Sequence, residues 1–107
     1  MSAATSSVFG TRLKEARLDA GLSQKQLGIE AGLDPFVAST RINRYELGIH
    51  KADYTFAVRL ATVLRVPVAF FYAEDPDLAS LILVFGRLSK RKRADLASHA
   101  RVLEVGL

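Results

Sequence analysis

The chain has 107 residues, of which 50% are hydrophobic and 24% charged, and it contains no cysteine. This is the composition of one soluble domain, long enough to bury a core without disulfides or a structural metal, and it excludes thiolate zinc sites, cysteine nucleophiles and disulfide scaffolds together. Fifteen Lys and Arg against eleven Asp and Glu leave a net charge of +4, a mild preference for polyanionic partners.

The basic excess sits mainly in residues 41–70, which carry five basic and two acidic side chains. No apolar run reaches the roughly 18 residues needed to cross a bilayer. Met1–Ser7 lacks the charged-then-apolar order of a signal peptide, so the expected location is the cytoplasm and no membrane partner is expected.

Residues 1–7 are small and polar and read as a flexible leader ending in a helix cap at Ser6 or Ser7. Phe9, Leu13, Ala16 and Ala20 then recur at helical spacing until Gly21. Ser23 caps a short second helix, with Leu27 and Ala31 on its inner face and Gly32 at its end. Asp34-Pro35 combines an N-cap residue with proline at the first helical position, and the pattern that follows runs to Gly48.

Asp53 caps a fourth helix with the stripe Ala57, Leu60, Ala61 and Leu64. Val66–Tyr72 is apolar and aromatic, and Pro67 suits a first turn, which predicts a short fifth helix. From Leu78 to Leu88 the chain is apolar almost all the way round, as a helix buried on more than one side would be. Ser89 caps a last helix that opens on the basic run Lys90–Arg93 and carries the stripe Leu96, Ala100, Leu103 and Leu107. With no alternating segment and no repeat, the fold class is all-α.

Two short helices joined by a tight connection, the second rich in small polar and basic residues, form the pattern of a helix-turn-helix. Phe9, Arg12-Leu13, Arg17, Gly21-Leu22-Ser23-Gln24, Leu27-Gly28, Ala31-Gly32, Ile42, Arg44-Tyr45-Glu46, Gly48, Leu60-Ala61, Leu64 and Val66 resemble, in order, the Cro/CI-type repressors, also called XRE. The resemblance covers about residues 8–72 and implies a lambda-repressor-like five-helix domain that binds duplex DNA, usually as a dimer, and regulates transcription. Residues 73–107 would add two helices as a dimerisation element. The resemblance also implies a structural ion pair between Arg12 and Glu46.

The stretch from Gly32 to Ile42 is longer than in ordinary members by roughly one helical turn, similar to a subgroup that includes controller proteins of restriction-modification systems. If Asp34-Pro35 starts the helix, recognition begins a turn early on an extended third helix, and Phe36 or Val37 can pack or meet a thymine methyl. If Ser39 is the cap, the extra residues form a longer turn.

Ile42 plugs the third helix into the core and aims Thr40, Arg41, Asn43 and Arg44 outward. Arg41 and Arg44 can fork onto guanine and Asn43 can pair with adenine; the bland alternative is a solvated helix face. Gln24 either contacts phosphate or braces the recognition helix. Ser39 and Thr40 are weaker candidates, since short hydroxyl side chains often only cap. Lys51 is a candidate for backbone contact, with His50 a lesser one. Lys90–Arg93 reads as a solvated charged face.

Leu78, Leu81, Ile82 and Phe85 are more apolar surface than one small domain can cover, which predicts a two-fold homodimer on a pseudo-palindromic duplex site. Catalysis is not expected: His50 and His99 stand alone, and neither a glycine-rich phosphate loop nor a metal-binding HExxH pattern is present. No cofactor or metal is called for. The alternative reading is an antitoxin-type module that binds a partner protein as well as DNA. A toxin-binding segment is expected to be disordered when free, whereas Leu78–Leu107 reads as helical.

Overall fold

The computed structural model describes residues 7–106. Six α-helices follow one another: α1 (Val8–Asp19), α2 (Gln24–Glu30), α3 (Ala38–Glu46), α4 (Tyr54–Leu64), α5 (Pro76–Arg87) and α6 (Lys90–Val105). A 3₁₀ helix (Val68–Tyr72) separates α4 from α5, and no strand occurs among the described residues. The all-α expectation holds. The expected leader lies outside the described residues except for Ser7, as does Leu107, the last member of the expected α6 stripe.

Short polar side chains begin most of these helices by accepting a hydrogen bond from an otherwise unpaired N–H of the first turn. Ser7 accepts from Gly10, Ser23 from Gln26, Asp53 from Phe56 and Ser89 from Lys92. Asp75 accepts from both Asp77 and Leu78, with Pro76 opening the helix behind it. The punctuation before Leu78 is therefore itself the start of α5, two residues earlier than its apolar run.

Two elements differ from expectation. Asp34 accepts from Phe36 N–H at 2.8 Å, only two residues on, which closes an Asx turn rather than capping a helix. Residues 35–37 form the turn, α3 begins at Ala38 behind an N-cap, Val37, that offers no side-chain bond, and the helix is nine residues long. The extra length thus lies in the turn, and the third helix is not extended. Similarly, Pro67 keeps an extended conformation and the apolar stretch behind it winds as 3₁₀.

Leu13, Leu27, Ile42, Leu60 and Phe71, one from each of the first five helical elements, are fully buried and meet in one core. The α2–α3 crossing is set by Gly28. A Cβ there would stand 2.7 Å from the Ala38 Cβ, so only glycine allows the approach. Gly10 plays the same part where α1 meets the end of α3, since a Cβ on it would collide with the Glu46 carbonyl.

Alanine normally favours a helix interior over glycine by roughly 1 kcal/mol. At Gly28 the sign should reverse: Gly28→Ala is expected to lower stability by about 1–3 kcal/mol through overpacking, read as a lower urea midpoint at unchanged slope.

Candidate nucleic-acid interface

The orientation of α3 follows from its sequence. Ala38, Ile42 and Tyr45, at i, i+4 and i+7, are buried. The face left over presents Ser39, Thr40, Arg41, Asn43 and Arg44, all exposed. Lys51 is exposed in the loop that follows, next to His50. These candidates lie together on α3 and the loop after it, while Gln24 joins them from the first residue of α2.

Gln24 is a brace. Its amide nitrogen donates to Asn43 Oδ1 at 3.1 Å and to Glu46 Oε1 at 3.0 Å. The Asn43 carbonyl is thereby held toward α2.

The structural ion pair is not the one expected. Arg17, not Arg12, meets Glu46: its Nε donates to Oε2 at 2.6 Å and its Nη2 to Oε1 at 3.1 Å, while Nη1 donates to the Leu22 carbonyl at 3.0 Å. The Arg17 side chain is 10% exposed and that of Glu46 3%. Five residues apart on α1, the two arginines lie about 140° apart around the helix, so only one can face α3. Arg17 follows Leu13 by four and shares its inner stripe, a spacing that was visible in the sequence.

Arg12 faces the other way. Its Nε donates to the Ala73 carbonyl at 2.8 Å and its Nη2 to the Glu74 carbonyl at 2.9 Å, and its remaining nitrogen pairs with Glu15. It ties α1 to the chain leaving the 3₁₀ helix.

The basic run at the start of α6 has one member with a structural task. Arg93 donates to the Phe85 and Gly86 carbonyls at 2.9 and 3.0 Å, and its guanidinium lies over the Phe85 ring at 5.0 Å. It pairs the Gly86 carbonyl at the C-terminal end of α5 and adds a second donor to the Phe85 carbonyl, which also accepts from Leu88 N–H. No signal in the sequence distinguished it from Lys90, Arg91 and Lys92.

On α5, Ala79, Ile82, Leu83 and Gly86 form the inner side, while Leu78, Leu81, Val84 and Phe85 remain 41–50% exposed on the outer. Ile82, at the edge between the two sides, packs half-buried against the core, whereas Leu78, Leu81 and Phe85 are exposed. Helix α6 has no buried residue. No group of three or more metal-ligating side chains occurs among the described residues, and none of their helices is long and apolar enough to cross a membrane.

A tight helix pair, with the second helix held by its inner face and a buried ion pair, defines a helix-turn-helix. The model of a helix-turn-helix domain family matches residues 8–69. The crystal structure of the transcriptional regulator BswR is similar, at 43% identity and a TM-score of 0.80 over 86% of this chain and 91% of that one. No curated protein matches the chain. The chain belongs to the helix-turn-helix domain family and is an XRE-like regulator.

Removing one partner of a buried ion pair strands the other, so Glu46→Ala is expected to cost about 3–5 kcal/mol. In double-mutant cycles followed by denaturant unfolding, Arg17→Met and Glu46→Leu should couple strongly, whereas Arg12→Ala and Glu46→Ala should add.

Proposed function

We propose that this protein is a sequence-specific regulator of transcription that binds duplex DNA as a two-fold dimer and reads the major groove with α3. The observation that carries the reading is the division of α3. Three residues anchor it in the core, and every outward side chain from Ser39 to Arg44 is polar or basic and exposed. Arg41 and Arg44 can fork onto guanine O6 and N7, while Asn43, its carbonyl held by Gln24, has its amide nitrogen left for a base acceptor. Ser39, Thr40 and Lys51 suit phosphate contact. The likeness to BswR, a transcriptional regulator, supports the same role.

Residues 73–107 are the proposed dimerisation element. Leu78, Leu81 and Phe85 repeat along the outer side of α5, and Val102, Leu103 and Val105 are 46–67% exposed on α6. The radius of gyration, 15.8 Å, exceeds the roughly 13 Å of a compact domain of about 100 residues, as expected for a helical arm that packs on a second copy. Two α3 helices would then meet half-sites about one turn of duplex, or 10 bp, apart.

Binding to a selected duplex should weaken steeply between about 50 and 200 mM salt as phosphate counterions are released. Arg44→Ala should cost about 1–3 kcal/mol on that duplex and relax preference at one base pair, while Lys51→Ala weakens all duplexes alike. Fluorescence anisotropy across a salt series checks both, and equal affinity for all sequences would overturn the reading.

Dimerisation has its own test. Leu81→Asp should give a folded protein that sediments as a monomer and binds a full site poorly. Ile82→Asp should instead unfold the chain, because Ile82 packs against the core.

A further inference from the structure

Phe36 is 97% exposed, the most exposed of the large apolar side chains among the described residues. It stands in the turn between α2 and α3, immediately before the outward face of α3. The turn holds it firmly: Phe36 N–H donates to Asp34 Oδ1 at 2.8 Å, Val37 N–H donates to the Asp34 carbonyl at 3.0 Å, and the proline ring of Pro35 limits the backbone before it. Ala38, two residues on, is locked against Gly28. A fully exposed aromatic ring contributes nothing to the core, and on a restrained turn leading into α3 it is held available to whatever that end of the helix meets.

We infer that Phe36 is a specificity-determining residue that packs on the 5-methyl group of a thymine at the edge of the bases read by α3. The inference rests on the DNA-binding reading above. Phe36 stands in the turn that leads directly into α3, and the N-terminal end of a recognition helix is the part that reaches base edges in the major groove. The base edges there offer hydrogen-bond donors and acceptors, and the thymine methyl is their distinctive apolar group. An apolar ring carried into that groove therefore selects thymine by burying its methyl.

The test exchanges single thymines for deoxyuridines in a duplex that the unmodified protein has selected from a random pool, which deletes one methyl group at a time and leaves every hydrogen bond intact. The unmodified protein should lose about threefold to tenfold in affinity at one thymine per half-site, the worth of a buried methyl. Phe36→Ala should show no loss at that position while still preferring the selected duplex to a scrambled one, and Phe36→Leu should keep part of the discrimination. Identical uracil profiles for the unmodified protein and Phe36→Ala would overturn the inference while leaving the DNA-binding reading intact. A Phe36→Ala protein weakened equally on selected and scrambled duplexes would overturn it as well. Failure of the unmodified protein to prefer the selected duplex would remove the DNA-binding reading itself, and this inference with it.

Discussion

The buried contact between Arg17 and Glu46 is the constraint on which the arrangement of the first three helices depends. Two charges taken out of water demand nearly complete hydrogen bonding in return. Glu46 receives Arg17 Nε and Nη2 and Gln24 Nε2, and Arg17 spends its remaining nitrogen on the Leu22 carbonyl in the link between α1 and α2. Among the described residues no buried side-chain nitrogen or oxygen lacks a partner. Satisfying one carboxylate therefore positions α1, the α1–α2 link, the start of α2 and the end of α3 at once. Hydrophobic contacts alone would tolerate small rotations of α3 about its axis, whereas a two-pronged pair with a third donor does not.

Close backbone approach supplies the second constraint. Where α2 crosses α3 and where α1 meets the end of α3, the missing Cβ of Gly28 and of Gly10 lets the helices come together. The ion pair sets the rotation of α3 and the glycines set its depth. Between them the exposed face has little freedom, as side chains proposed to meet base edges require.

Features that depend on local rules were legible in the sequence. The caps at Ser7, Ser23, Asp53 and Ser89 follow from short polar side chains before apolar periodicity, and the buried stripe of α4 and the anchor Ile42 follow from helical spacing. The outward set on α3 came with Ile42. What stayed hidden turned on competition between local options. Asp34-Pro35 satisfies the rules for a helix start and for an Asx turn alike, and the packing of Ala38 on Gly28, a tertiary fact, goes with the turn. Arg12 was the expected partner of Glu46, but the direction around α1 gives that place to Arg17. Arg93 is one of four adjacent cations, and only the proximity of the end of α5 singles it out.

Gly86 carries a further consequence. A Cβ at this position would lie 2.7 Å from Pro67 Cγ, so α5 rests on the segment before the 3₁₀ helix with no room to spare. Arg93, from α6, ties the far end of α5 to the last helix, while the Gly86–Pro67 contact seats α5 on the body that carries α3. The distance from the outer side of α5 to the exposed face of α3 is consequently constrained by that contact. In the proposed two-fold assembly on α5 that length would act as a ruler, with half-site separation on the duplex set by packing at Gly86, remote from the side chains proposed to read bases.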